Sequence, residues 1–483
     1  MWERILTDGK RKIPRIAIIG GGITGLAAAH RINELAIARE MPVEATILER
    51  GEHLGGPLRT ITRDGFIMET GADSFLTEKP QAASLARRLG MESELIPTRA
   101  EFRKTYVVRR GRLVEIPTGF SLLAPMHLRP VLTSPLFSPW GKLRMALEPL
   151  IPKREATDDE SLASFVTRRL GREVLDRIAQ PLAGGIYTAD PNELSMSASM
   201  PRFVEMERCH GSLRRGMRAA EAARTQQQGT SGARWSLFLS MRGGMSALPD
   251  ALASRLEGSI RRGAEVASIE RAGDAWRITL ADGSRIDAEA VICAAPAFTA
   301  ARLLRRIESR LADHLGYIQY ASAATVNLSW RAEDFPKRPD AFGFVVPAIE
   351  HRKIIAGSFS SLKFEGRAPE GFILARVFLG GVLQSEMMQL SDDDMIAAAR
   401  EEFRALLGVN AAPGLTEVQR WSAAMPQYAV GHLDRVAQIE AAAAPIPNLF
   451  LAGAAYRGVG IPDCVRSGEA AAEAAFDRLG SRA

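Results

Sequence analysis

Gly20, Gly22 and Gly25 stand at GxGxxG spacing between a short apolar run, Arg15–Ile19, and an Ala/Leu-rich stretch that reaches about Ala38. Glycine at those places removes the side chains that would keep a pyrophosphate away from backbone N–H groups at a helix N-terminus. Alone the spacing is a weak signal, but here a strand precedes it and a helix follows. A second apolar run, Glu44–Glu49, ends on Glu49, where a carboxylate suits the hydroxyls of an unphosphorylated ribose. That chemistry fits NAD or FAD.

The stretch LFLAGAAYRGVGIPDCVRSGEAAAEAAF, near the C-terminus, reads as a strand, a Gly-rich loop and a helix that starts near Pro462-Asp463. A helix start carries positive partial charge and suits the pyrimidine edge of a flavin, where reduction places negative charge. A nicotinamide enzyme needs no such return to its first βαβ unit, so FAD is the expected cofactor.

The elements that must position these residues are a strand, a tight turn, a helix and a second parallel strand after Met41-Pro42. Helices are expected around Ala82–Leu89 and Asp159–Leu170. Between them, Ile116–Leu147 is rich in Pro and apolar residues and contains no Asp or Glu. Its only cations are His127, Arg129, Lys142 and Arg144, which is no polybasic anchor, so a packed helical cover over the active site is the preferred reading. The polar stretch TQQQGTSGAR, Thr225–Arg234, reads as an exposed loop. AWRITLADGSRIDAEAVICAAP alternates around the turn signal Asp282-Gly283, and strand-like runs recur from Tyr320 to Gly381. In SDDDMIAAAREEFRALLG three aspartates open a helix, where they suit its dipole.

A chain of 483 residues with 46% hydrophobic and 24% charged residues is globular and long enough for two or three domains. Its net charge of +6 is spread over that length and reads as a basic soluble surface, with no nucleic-acid partner implied. Three cysteines lie far apart without a CxxC pair, so neither a disulfide framework nor a metal site is expected. No signal-peptide pattern opens the chain and no run of 18 apolar residues occurs. The expected location is the cytoplasm, with any membrane contact peripheral and at the inner face.

Motifs over nearly the whole chain resemble the oxygen-dependent protoporphyrinogen oxidases and their bacterial relatives, the coproporphyrinogen III oxidases. They are GGGITGLAAA, the doublet Gly55-Gly56 in ERGEHLGGPLRT, GADSFLTEK, PLAGGIYTADPNELS, RGGMSALPDAL, AFGFVVP, SSLKFEGRAPEG, AMPQYAVGHLDR and YRGVGIPDC. The resemblance implies an α/β fold of the flavin amine oxidase type: a Rossmann-type FAD-binding domain, an inserted α+β substrate domain and a helical domain. The expected boundaries are 12–88, 206–300 and 418–483 for the first, 301–417 for the second and 89–205 for the third.

Carried over position by position, the resemblance implies FAD contacts at Gly20, Gly21, Gly22, Ile23, Thr24 and Gly25, at Glu49 and Arg50, at Gly71, Ala72, Asp73 and Ser74, at Val266, at Trp421, and at Val459, Gly460 and Ile461. Val266 also reads as a core strand residue and Trp421 as a core aromatic. Cys464 reads better as a small buried residue than as a covalent flavin anchor. Pro57 stands where the family usually has Lys or Arg, which moves one phosphate contact to Arg59 if it is made at all. On the substrate side the resemblance implies a flat apolar slot for a tetrapyrrole, with Phe378 and Val345 on its walls and Gly185 near the reacting bridge. Lys79 matches a lysine beside the propionates of the Gram-positive type, while Thr105 stands where plant and animal enzymes have an arginine. The pattern favours coproporphyrinogen III over protoporphyrinogen IX.

The reaction so implied passes hydride from a porphyrinogen to FAD and on to molecular oxygen in three two-electron steps. No His–Asp or paired-carboxylate constellation stands out as a general base, so no catalytic residue is named. The chain is read as a monomer or homodimer. A flavin amine oxidase, a carotenoid desaturase and a non-catalytic porphyrin-binding flavoprotein are the rival readings.

Overall fold

A computed structural model describes residues 13–121, 123–227 and 237–480. The first strand, Arg15–Ile19, lies at the centre of a five-stranded parallel sheet ordered Ile260–Arg261, Glu44–Leu48, Arg15–Ile19, Ala290–Cys293, Leu449–Leu451. Its neighbours come from distant parts of the chain. A strand buried on both faces must be apolar throughout, and Ile16–Ile19 and Ala290–Cys293 are fully buried. The helices Ile23–Ala38 and Ile461–Gly480 pack against each other on one face.

The second sheet has seven strands in the order Leu415–Pro426, Tyr320–Arg331, Phe372–Gly380, Ala356–Ser358, Gly343–Val345, Thr105–Arg109, Arg112–Glu115. It reaches beyond 301–417 at both ends, because the edge strands gain ladder partners only in this sheet. The helical region likewise extends past 205. Phe203, Met206, Leu213 and Met217, from Pro201–His210 and Leu213–Gln227, bury into the same apolar cluster as Phe165, Val166 and Leu175.

Local expectations are refined in three places. Thr225–Gln227 finish the helix Leu213–Gln227, and the rest of Thr225–Arg234 lies outside the described residues. The helix expected from Asp159 starts at Leu162 with Ser161 as its cap, since the Asp159 carboxylate accepts instead from the Ser195 hydroxyl and Gly431 N–H. In Asp392–Leu407 the cap is Ser391, whose hydroxyl accepts from Asp394 N–H, and the three aspartates form the first turn.

Within Ile116–Leu147, Val131, Leu136, Phe137 and Met145 are buried, but Leu132, Trp140, Leu143 and Leu147 face outward, as does Leu150 just beyond. Trp140 is 80% exposed, so the segment covers the helical core with one face only. No described helix is long and apolar enough to cross a membrane.

Candidate functional site

The glycine loop is closed behind and open in front. A Cβ on Gly25 would sit 2.0 Å from Gly20 O, and one on Gly21 2.7 Å from Leu54 Cδ2, whereas one on Gly22 would meet nothing within 4 Å. Gly22 caps the helix Ile23–Ala38 without any side-chain cap or acidic first turn, so the first-turn N–H groups keep no side-chain partner. Uncapped N–H donors beside open space at a helix start are what a pyrophosphate needs. The Gly55-Gly56 doublet lies directly on this loop: Gly55 N–H donates to Gly21 O at 2.8 Å, and a Cβ on Gly56 would be 3.6 Å from Gly22 Cα.

Glu49 follows the strand Glu44–Leu48, and its carboxylate accepts from Gly21 N–H at 2.7 Å and Gly51 N–H at 2.8 Å. Arg50 beside it is exposed. Val266 is buried at the head of Val266–Ala272, near Ala264, whose N–H donates to Glu49 O. Arg59 does not turn toward the glycine loop; its guanidinium reaches Gln419 Oε1 at 3.2 Å. The carbonyl of Pro57 instead abuts Gly71, where a Cβ would come within 1.8 Å of it.

Thr70–Ser74 runs between the glycine loops and one face of the seven-stranded sheet. Trp421 Nε1–H and the Thr325 hydroxyl both donate to Thr70 O, at 2.7 and 2.8 Å, and Asn327 donates to Glu69 O. Sheet register explains this convergence. Gln419, Thr325, Phe378, Ala356 and Val345 are paired in turn across five strands, and side chains directly opposite share a face. The row leads from the Thr70–Gly71 segment to the helical region, and none of its side chains titrates. Val345, Ala356 and the half-buried Phe378 pack in one apolar cluster with Val459 and with Ala183 and Tyr187 of the helix Gln180–Tyr187. Gly185, on that helix, is exposed, with open space where a Cβ would lie.

The C-terminal helix is set against the glycine loop by close packing, since a Cβ on Gly468 would be 2.2 Å from Thr24 O. Its first residues, Ile461 to Cys464, are buried, and the loop before it is pinned by Tyr428. That hydroxyl donates to Ala454 O at 2.6 Å and accepts from Gly458 N–H at 2.8 Å, while its ring stacks on His432. The AMPQYAVGHLDR motif therefore holds the loop that carries Val459, Gly460 and Ile461. Burial pushes the Cys464 thiol up to about 11, as for a small side chain packed in the core.

Lys79 is bonded to Asp463 in the first turn of this helix, at 2.6 Å, with the lysine side chain half exposed and the aspartate buried. The resemblance places Lys79 beside substrate propionates; the structure pairs it with Asp463 and leaves about half of its side chain exposed. Thr105 begins the strand Thr105–Arg109 opposite Gly343.

Sequence reasoning missed the charges behind Thr70–Ser74. Asp73, expected only as a cofactor contact, accepts from Lys363 Nζ at 2.9 Å on both oxygens and lies 3.1 Å from Arg376. Burial alone would raise its carboxyl, but Lys363 and Arg376 outweigh burial and hold it well below the usual carboxylate range. Glu69 is raised by its burial, against the lowering effect of Arg367. Period-two alternation in ARVFLGG offered one signal, because it puts Arg376 on the face that carries Phe378.

The geometry provides a helix start without a side-chain cap, a carboxylate at the end of the second strand, a buried second helix start and a flat apolar wall. Comparison with known proteins agrees with that arrangement. A family model described as flavin containing amine oxidoreductase matches residues 23–475. The chain is 33% identical to the coproporphyrinogen III oxidase of Bacillus subtilis, over 98% of this chain and 100% of that one. It is 32% identical to the human protoporphyrinogen oxidase, over 95% and 97%. The crystal structure of a protein from Exiguobacterium sp. 255-15 superposes with a TM-score of 0.85 at 28% identity, covering 98% of this chain and all 100% of that one. Putrescine oxidase shares the fold at 16% identity, with a TM-score of 0.68 over 96% of this chain and 99% of its own.

Proposed function

The chain belongs to the flavin-containing amine oxidoreductase family, together with the coproporphyrinogen III and protoporphyrinogen oxidases, and we propose that it binds FAD and oxidises coproporphyrinogen III to the porphyrin with oxygen as acceptor. A porphyrinogen loses six hydrogens in three two-electron steps, and three oxygen molecules leave as hydrogen peroxide. The observation that carries this reading is the untitratable row Val345, Ala356, Phe378 and Thr325, which runs flat up to Thr70–Gly71.

Bound flavin supplies the hydride acceptor and the reaction with oxygen. Ile23 and Thr24 N–H groups would hold the pyrophosphate, Glu49 the ribose, and the Val459–Ile461 loop with its helix start the pyrimidine edge. The residues of the chain then have three tasks: to orient the macrocycle on the Phe378 wall, to exclude water with the apolar cluster, and to offer cations at the rim. Coproporphyrinogen III carries four carboxylates and protoporphyrinogen IX two, and Lys79, half exposed beside Asp463, is the cation we assign to one of the additional carboxylates.

Lys79→Ala is expected to lower kcat/KM for coproporphyrinogen III by roughly ten-fold while changing protoporphyrinogen IX by less than about two-fold, as a charge-assisted contact to one carboxylate would. Because the substitution also frees Asp463, the readout is the difference between substrates, measured by porphyrin fluorescence. Equal effects on both, or none on either, would remove the preference for the four-carboxylate substrate.

A further inference from the structure

Five charged side chains from three segments of the chain, Glu69 and Asp73, Lys363 and Arg367, and Arg376, meet behind Thr70–Ser74. Lys363 donates to both oxygens of Asp73 at 2.9 Å and lies 3.3 Å from the Ser74 hydroxyl. Arg376 donates to Gly71 O at 2.5 Å and to Glu69 O at 3.4 Å, pairs with Asp73, and stacks its guanidinium 4.7 Å from the centre of the Phe378 ring. Arg367 donates to Ser240 Oγ and to the carbonyls of Met241 and Arg242, and lies 3.7 Å from Glu69. Arg367 and Glu69 are each 1% exposed and Arg376 4%, so water screens none of them.

The cluster is not neutral. Three cations, Lys363, Arg367 and Arg376, face two carboxylates, Asp73 and Glu69, which leaves an excess of one positive charge. The Nε–H of Arg376 has no partner among protein atoms. A purely structural ion-pair group in so dry a place would gain by balancing its charges. Here the surplus lies between the wall residue Phe378 and the carbonyl of Gly71.

We infer that this buried positive excess, with Arg376 at its centre, stabilises the negative charge that two-electron reduction places on the bound flavin, and so sets the flavin's reduction potential. The inference rests on the proposed FAD binding and on the cofactor contacts at Gly71, Ala72, Asp73 and Ser74 that the family resemblance implies. Arg376 and Lys363 act through the field they set up, as positioning residues for charge.

The test is the two-electron midpoint potential of the flavin-loaded protein, by equilibration with a reference dye, in Arg376→Met and Asp73→Asn. A unit charge acting through protein over roughly 10 Å shifts such an equilibrium by about ten-fold, or ~30 mV for a two-electron couple. Arg376→Met should favour the oxidised flavin by that factor and Asp73→Asn the reduced flavin. Lys363→Met should move with Arg376→Met, and it carries the test if the arginine variant does not fold. Loss of packing alone would move all three variants alike, so shifts of one sign, or no shift, would overturn the inference. A wild-type protein that holds no flavin would overturn the cofactor reading itself, which separates the two failures.

Discussion

Gly22→Val is expected to give a folded protein without flavin, whereas the unaltered chain should purify yellow with one FAD that acid releases. The φ of Gly22 is −68°, which any residue adopts, and no atom lies within 4 Å of a Cβ there. The fold therefore tolerates the side chain. The cofactor does not, because the valine methyls would fill the space in front of the first-turn N–H groups that a pyrophosphate must reach. Affinity for FAD should fall on the order of a thousand-fold, about 4 kcal/mol. Gly25→Ala is the contrasting case: its Cβ would strike Gly20 O, so the loop itself must break. Isothermal binding and circular dichroism on both variants separate the two effects. A Gly22→Val protein that stays yellow would show that the phosphate loop is elsewhere.

The largest loss of stability is expected from Arg169→Met. Arg169 and Glu148 form an ion pair in which neither side chain is exposed, at the heart of the helical region. Glu148 also accepts from the Ser212 hydroxyl at 2.7 Å and from Leu213 N–H at 2.9 Å, which places a carboxylate at the start of Leu213–Gln227. Arg169 in turn donates to Ile151 O and Gly211 O. Removal of the guanidinium leaves a buried carboxylate without its main partner and two carbonyls without a donor, at a cost of about 3–5 kcal/mol. Melting followed by proteolysis of the helical region should report a Tm lower by roughly 10 °C. The double replacement Arg169→Met with Glu148→Leu should recover much of that loss, since it removes the orphaned charge. A single variant that melts within about 2 °C of the parent would contradict the account of this pair.

Both glycine motifs, Glu49 and the C-terminal helix start were legible in the sequence because each depends on spacing within a few residues. Gly22 and Gly25 report a local backbone need, and Pro462-Asp463 marks a helix start wherever the helix goes. What was not legible is set by register between distant strands. Phe378 was named on resemblance, but only the pairing of Gln419, Thr325, Ala356 and Val345 with it makes a wall. Lys363 meets Asp73 across 290 positions, and no local pattern encodes that distance. The same reason moves the domain edges: Thr105–Arg109 is an ordinary strand by its residues, and only its partner Gly343–Val345 assigns it to the second sheet.

The central claim is that this chain takes hydride equivalents from a porphyrinogen, and anaerobic mixing tests it most directly. Flavin-loaded protein mixed with coproporphyrinogen III in the absence of oxygen should bleach within the time of turnover as porphyrin fluorescence appears, and admission of oxygen should restore the yellow colour with formation of peroxide. A flavin that stays oxidised with both coproporphyrinogen III and protoporphyrinogen IX would contradict the account.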